Sequence, residues 1–526
     1  MDADVIISGA GPNGLLLACE LALGGARSLV VERLDGRTTA QRANGLVGQV
    51  LQCLDQRGLY EPLSGSVGPA SSAPFFQFGG IPLDLRDVEL PLTLLMVPQT
   101  RIEEVLEARA LELGVGIRRG VEVVGFRQTG SQQWSDGSVV VEVSGPAGTT
   151  NLTGAYLVGA DGGRSFVRKH AGIDFDGVTS DEFVSRSAHV GISDDARDSA
   201  TGGIRLGTST VAPFRHNRFP TGVVAIMPLG APGRMLVSVM EWNGASVTEN
   251  ESAEPVEEEL EAAFERVTGH PLPVAADAIG QSENMRRVIG VNSRQASRYR
   301  DGRVLLLGDA AHVHSAVGGP GLNLGLQDAL NLGWKLAAVV SGAAPVDLLD
   351  SYESERMPAS ARVLMHTRAQ MALMAPGRGV DAQRELLAEL LGDVAARARL
   401  AGMLSGADVR YEMGGADPSN SYVGHLAPEL TVSGDGAHTR LVEVLRRAKP
   451  VLVSGPGVDD GITGLDVPDT IIRVVAPDLG DTALFIRPDG YVAWALDGVA
   501  DAQAVDGLRS AIERWSPAPA FSSSAR

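Results

Sequence analysis

Short, unbroken apolar runs recur along the chain, and each stops at a small or acidic residue. Val5-Ile6-Ile7, Leu29-Val30-Val31 and Val304-Leu305-Leu306-Leu307 lack the polar alternation of a half-exposed strand. They have the continuous apolarity of strands buried on both faces, as in a parallel sheet. Between the first two, residues 15–23 are apolar almost throughout and predict a buried helix, giving strand, helix and strand in succession. A second long helix is expected over 324–340, and others over 101–113 and around 359–373. A different pattern holds in the middle of the chain. Residues 222–227 and 235–241 read as antiparallel strands, broken by Pro213, Pro220, Pro228 and Pro232. Sheet segments are also expected at 121–128 and 139–143.

These patterns predict an α/β protein with a discontinuous first domain. Residues 1–175 form its first part, with 70–95 contributing to an inserted domain through Phe75-Phe76-Gln77-Phe78, expected as an added strand. Residues 176–275 form the inserted antiparallel sheet, 276–395 return to the first domain with long helices, and 396–526 form a last unit. A polar, glycine-rich stretch near 392–420 precedes that unit. Strands at 451–454, 471–475 and 484–494 follow, with a tight turn at Pro488-Asp489-Gly490 and a frayed tail at 521–526.

Composition narrows the function. A formal net charge of -19 argues against nucleic acid or an anionic membrane as partner. No apolar run reaches the roughly 18 residues needed to span a bilayer, and the chain enters a strand by Val5 without a basic leader, so a cytoplasmic protein is expected. The two cysteines, Cys19 and Cys53, fall in apolar helical runs and are read as core. The nine histidines show no metal-ligand spacing. His312 and His314 are read as structural hydrogen-bonding groups. No serine sits in a nucleophile elbow, which leaves hydrolysis without support.

The glycines carry the chemistry. In Gly9-Ala10-Gly11-Pro12-Asn13-Gly14, the first glycine permits a tight turn, the second a close approach to a pyrophosphate, and the third close helix–strand packing. Glu32, 18 residues beyond Gly14, ends the second strand where a carboxylate accepts from a ribose hydroxyl and repels an added 2′-phosphate. A second block pairs the strand end at Gly308-Asp309 with Gly318-Gly319-Pro320-Gly321-Leu322-Asn323, a turn opening a helix. A strand-end aspartate suits a ribityl chain, and amides at a helix start suit an electron-rich ring edge. Together the blocks favour FAD over NAD.

With these motifs the chain resembles the class A single-component FAD-dependent aromatic monooxygenases, in the branch of the aromatic polyketide hydroxylases with a para-hydroxybenzoate hydroxylase-like fold. The resemblance implies a Rossmann-like FAD-binding domain, an inserted substrate-binding sheet and a thioredoxin-like C-terminal domain, the last without redox cysteines because both lie in the first 53 residues. It implies that Gly9, Gly11, Pro12, Asn13 and Gly14 hold the FAD diphosphate, Glu32 and the adjacent Arg33 the adenosine end, and Asp309 the ribityl chain. Gln99, Val123 and Asp161 with Arg164 would line the same cofactor site, and Pro320, Gly321, Leu322 and Asn323 the flavin. Arg42 would lie beside the flavin ring, as a catalytic candidate with no side-chain nucleophile required. With one GxGxxG in the chain, NADPH or NADH would bind transiently. O2 would then be activated as a flavin C4a-hydroperoxide, to hydroxylate a small aromatic polyketide-like substrate in a monomeric or homodimeric protein. Baeyer–Villiger oxygen insertion, and a flavoprotein reductase or binder without oxygenation, are the alternatives. Two departures stand out: Gln49 where many relatives have an arginine, and Pro320, read as stiffening the flavin loop and removing one donor.

Overall fold

The computed structural model describes residues 1–526 except 39–44, 90–91, 131–136, 232, 243–255, 415–416, 418, 435–436, 459 and 517–526. The continuous apolar runs form one six-stranded sheet, in the order Arg300–Asp301, Val304–Leu306, Tyr156–Gly159, Val5–Ser8, Ser28–Glu32 and Gly116–Arg119. Val5 pairs in parallel with both Tyr156 and Ser28. Every residue of Val5–Ser8 and Tyr156–Gly159 is buried, as their unbroken apolarity requires. The first helix, Pro12–Leu23, packs against the helix Pro320–Val340. Their contact depends on Gly333, where a Cβ would stand 2.2 Å from that of Glu20. Cys19 and Cys53 are buried in this core, and burial pushes both thiols up to about 12.

The alternating middle region builds a second six-stranded sheet: His216–Arg218, Gly222–Pro228, Arg234–Trp242, Phe175–Gly191, Glu283–Ala296 and His312–Val313. It extends past the expected boundary at 275, because Glu283–Ala296 returns antiparallel to Phe175–Gly191 and carries the chain back to the first domain. Alternation gives it two faces. Val224, Ile226, Val237 and Val239 pack under the helix Glu257–Thr268, against Leu260 and Phe264. Each such fully buried side chain contributes about 1.5–3 kcal/mol. The opposite face is turned to a cavity. Residues Phe75–Phe78 do not join this sheet as expected; they pair with Ile81–Asp84 in a separate hairpin packed against Leu373, Leu391 and Ala401.

Two further differences follow from one more helix. Val394–Ser405 is helical inside the stretch read as polar and glycine-rich, started by Asp393, whose side chain accepts from the Ala396 amide. Thus the segment after 396 packs with the hairpin, and the last sheet begins only at Thr431. That sheet runs Ala437–Arg440, Thr431–Gly434, Ile472–Val475, Val451–Ser454, Thr482–Ile486 and Val492–Asp497, with the helix Ala502–Trp515 against it. Gly490 N donates to Arg487 O across the expected turn. Among the described residues, no helix is long and apolar enough to cross a membrane. The tail at 521–526 lies outside the described residues.

Candidate functional site

A cavity of about 1630 Å³ lies between the parallel sheet and the open face of the antiparallel one. At one end the Val5–Ser8 strand turns through Gly9 (φ 110°) into the first helix, with Pro12 at its first position. Gly14 permits the tight passage, because a Cβ there would lie 2.1 Å from Gly9 O. Gly11 caps the helix without a side chain, and a Cβ placed on it would meet nothing within 4 Å. Unpaired amides and the positive helix end therefore stand open to an anion.

Glu32 does more than face the cavity. Its Oε2 accepts from Ala10 N (2.8 Å) and its Oε1 from Leu34 N (3.0 Å), so the carboxylate braces the glycine loop. Arg33, Gln99, Val123, Asp161 and Arg164 also lie in the wall. The Gln99 amide donates to Glu103 Oε1 at 2.8 Å. Asp161 Oδ2 accepts from the Phe166 and Val167 amides, while its Oδ1 is buried without a hydrogen-bond partner. Asn13 Oδ1 is in the same condition. Open amides beside acceptors that require donors fit a group combining phosphates with hydroxyls, as FAD does.

The second block meets the first through Asn13. Its amide lies so close to Gly308 and Gly325 that a Cβ on either would come within 2.2 or 2.3 Å of Nδ2. Asp309 is exposed to the cavity between buried Gly308 and Ala310. Three expectations here need correction. The helix begins at Pro320, four residues before the expected start, with Gly319 (φ 71°) as its cap. Pro320 therefore occupies the first helical position, where a missing N–H costs nothing and a fixed φ is already helical, instead of stiffening a loop. Pro320 and Asn323 are not part of the cavity wall, which is formed here by Gly318, Gly319, Gly321 and Leu322. Asn323 is buried and braces the turn, its Nδ2 donating to Gly319 O (2.8 Å) and its Oδ1 accepting from Val47 N (3.2 Å). Gln49 is likewise outside the wall, its backbone N donating to Ser405 O. Arg42 lies outside the described residues.

The sheet supplies the other wall. Ala225, Met227, Leu236, Ser238 and Met240 occupy the alternate positions to those under the helix Glu257–Thr268. His216 and His314 face the cavity from opposite sides, and burial pushes each imidazole down to about 4. Both are neutral near pH 7, and His314 Nδ1 donates to Ser315 O at 2.8 Å. Motif reading missed Gln77, Phe214 and His216. Their only sequence signal was the aromatic and polar character of two segments more than 130 residues apart.

Behind the cavity the same long helix makes a different kind of contact. Asp328 is fully buried; its Oδ1 accepts from Arg356 Nε (2.7 Å) and its Oδ2 from His312 Nε2 (2.7 Å) and Gly308 N (3.1 Å). Glu355 Oε2 accepts from Asn331, Lys335 and Arg487, and Oε1 from Arg487 Nη1 at 2.7 Å. Arg487 also pairs with Asp489, whose Oδ2 accepts from Trp334 Nε1 at 3.1 Å. Burial raises the Glu355 carboxyl, but Arg487 and Lys335 more than reverse this and hold it at about 2.

Comparison with known proteins agrees with this geometry. Residues 2–367 match the family described as an FAD binding domain, and 420–519 match the aromatic-ring hydroxylase C-terminal domain. The chain is 39% identical to a 12-dehydrotetracycline 5-monooxygenase/anhydrotetracycline 6-monooxygenase of Streptomyces rimosus, over 99% of this chain and 100% of the relative. Two solved structures are similar throughout. An anhydrotetracycline hydroxylase from Streptomyces rimosus has TM-score 0.81 and 37% identity, covering 99% of this chain and 100% of its own. An aromatic hydroxylase from angucycline biosynthesis has TM-score 0.82 and 35% identity, covering 98% and 100%.

Proposed function

The chain belongs to the FAD-dependent aromatic-ring hydroxylases and is an FAD-dependent monooxygenase, and on that premise we propose that it hydroxylates a polycyclic aromatic substrate of polyketide type, with NADPH or NADH as transient reductant. A cytoplasmic location and a monomeric or dimeric state belong to the same reading. The observation that carries it is one continuous cavity, which joins the glycine cradle at Gly9–Asn13 to the apolar sheet wall at Met227, Leu236 and Met240.

FAD, when bound, would relay reducing equivalents from NADPH or NADH and activate O2. The protein's own residues bind, orient and exclude water. The helix ends at Pro12 and Pro320 offer amides and positive potential to phosphate and to an electron-rich ring edge, with Gly321 and Leu322 as the donors on the cavity wall. Asp309, Asp161 and Asn13 accept from hydroxyls. The sheet face orients a flat apolar substrate and keeps water from the reacting atoms. The neutral imidazoles of His216 and His314 can each accept a hydrogen bond from a phenol without adding charge to the site.

The test is NADPH oxidation with a polycyclic phenol under 18O2, followed by mass spectrometry of the product. One labelled atom in a new hydroxyl is expected. A label within a lactone would replace hydroxylation by oxygen insertion, and an unlabelled product would overturn the oxygenase reading for that substrate class.

A further inference from the structure

The cavity rim carries two aromatic side chains that the fold leaves largely exposed. Phe214 is one of three non-glycine residues, among those described, with a positive φ (58°), a backbone state disfavoured for a bulky residue. Its side chain nevertheless gains little shelter: the residue is 59% exposed. Phe75, on the separate hairpin, is 58% exposed. Both line the cavity. Strain and exposure together, at a residue whose ring is not packed in the core, point to a ligand as the missing contact.

Gln77 joins the two segments. Its Nε2 donates to Phe214 O at 3.3 Å, and its Oε1 accepts from His216 N at 2.9 Å. Phe214 N donates to Ile226 O at 2.9 Å, so the strained residue is fixed on both sides. Strand alternation sets Phe75 and Gln77 on the same face of Phe75–Phe78, and the Arg86 guanidinium lies over the Phe75 ring at 5.0 Å from its centroid.

Resting on the reading of this cavity as a hydroxylation site, we propose that Phe75 and Phe214 form an aromatic rim that stacks on the outer rings of a fused-ring substrate, with Gln77 as the positioning residue. The inner wall at Met227 and Leu236 serves any aromatic ring, whereas the rim serves only a molecule long enough to extend from that wall to the mouth. Ring number, more than any single polar contact, then decides binding. Aromatic faces on both sides reward a planar conjugated system through offset stacking, which a flexible aliphatic chain does not gain.

The experiment measures binding to the FAD-loaded enzyme by calorimetry, with a hydroxylated tetracenequinone and with 4-hydroxybenzoate. Phe214→Gly is the decisive variant, because glycine adopts φ 58° without strain. It should bind the tetracenequinone at least ten-fold more weakly, with unchanged FAD content, unchanged response to 4-hydroxybenzoate, and a Tm equal to or above that of the wild type. Phe75→Ala should weaken tetracenequinone binding similarly, and Gln77→Ala several-fold. If the wild type binds the tetracenequinone and these variants bind it equally well, the rim proposal is overturned while the cavity reading stands. A lowered Tm in Phe214→Gly also overturns it, since Phe214 would then be a folding residue. If the wild type fails to bind the tetracenequinone at all, the polycyclic reading falls and the rim with it.

Discussion

The helix Pro320–Val340 borders two regions that treat polar atoms in opposite ways. On its cavity side, amides of Gly321 and Leu322 belong to the wall, and Asn13 and Asp161 nearby each leave a buried oxygen without a hydrogen-bond partner. On its far side, both carboxylate oxygens of Asp328 and both of Glu355 are occupied by protein donors. Both regions are rich in charge, so charge does not distinguish them. Satisfaction does: bonding capacity filled from within the chain holds the chain together, and capacity left open toward a cavity is available to a ligand.

The contrast can be broken most forcefully at Arg487. Arg487→Met leaves Glu355 and Asp489 buried with fewer counter-charges, and should cost about 3–5 kcal/mol in denaturant unfolding, with FAD affinity of the folded fraction retained. The same network predicts an acid limb. Glu355 is held at about 2 in the fold against an ordinary value of 4.5, so its contribution is present above pH 4.5 and is lost as pH falls from there toward 2. Glu355→Gln should remove about one proton of uptake from that limb, read as a shallower slope of stability against pH between 2 and 4.5. An unchanged slope would assign the acid sensitivity to other groups.

On the open side the effects should fall on the ligand instead. Asp309→Ala removes a charge-assisted acceptor and should weaken FAD by about 1.5–3 kcal/mol. Undiminished FAD content at limiting flavin would reject this role. Gly325→Ala drives a methyl into the Asn13 amide and should lower FAD affinity by about 1 kcal/mol; combining it with Asn13→Ala should restore part of the loss, a coupling on the scale of 0.5–3 kcal/mol for touching residues. Additive losses in the double variant would show that the two do not communicate. The smallest effect belongs to Pro320→Gln. It should leave FAD content unchanged and cost under about 1 kcal/mol of stability, through a less restricted unfolded chain.

What the sequence disclosed follows the range of each interaction. The cradle from Val5 to Glu32 was legible because its turn, its helix start and its close packing are set by residues within a few positions of one another. The place of Asp309 at a strand end on the cavity wall was legible for the same reason. Pro320 was misread because proline breaks a helix interior but favours a helix start, and only the cap at Gly319 decides between them. The helix Glu257–Thr268 escaped although its buried residues Leu260, Ala263, Phe264 and Val267 repeat at helical spacing, because it lies within a region read for strand alternation, and Arg378–Leu390 buries no residue at all. Glu355 with Arg487, 132 residues apart, and Gln77 with Phe214, 137 apart, are joined only by the finished fold. No local pattern announces such pairs.

The Glu355–Arg487 pair also bears on how this gene can be cut. The C-terminal sheet looks detachable, with its own strands and its own helix, and the chain between it and the hairpin helices would tempt any attempt to trim the enzyme to its cofactor-binding part. Yet the border is electrostatic as well as geometric: the positive end of the pair is encoded after the cut and the negative end before it, and Arg57, paired with Glu20 in the first helix, donates to the carbonyls of Leu445 and Pro488 across the same seam. A truncated gene would encode a core with stranded charges, and a shuffled one would need to inherit both halves from one parent.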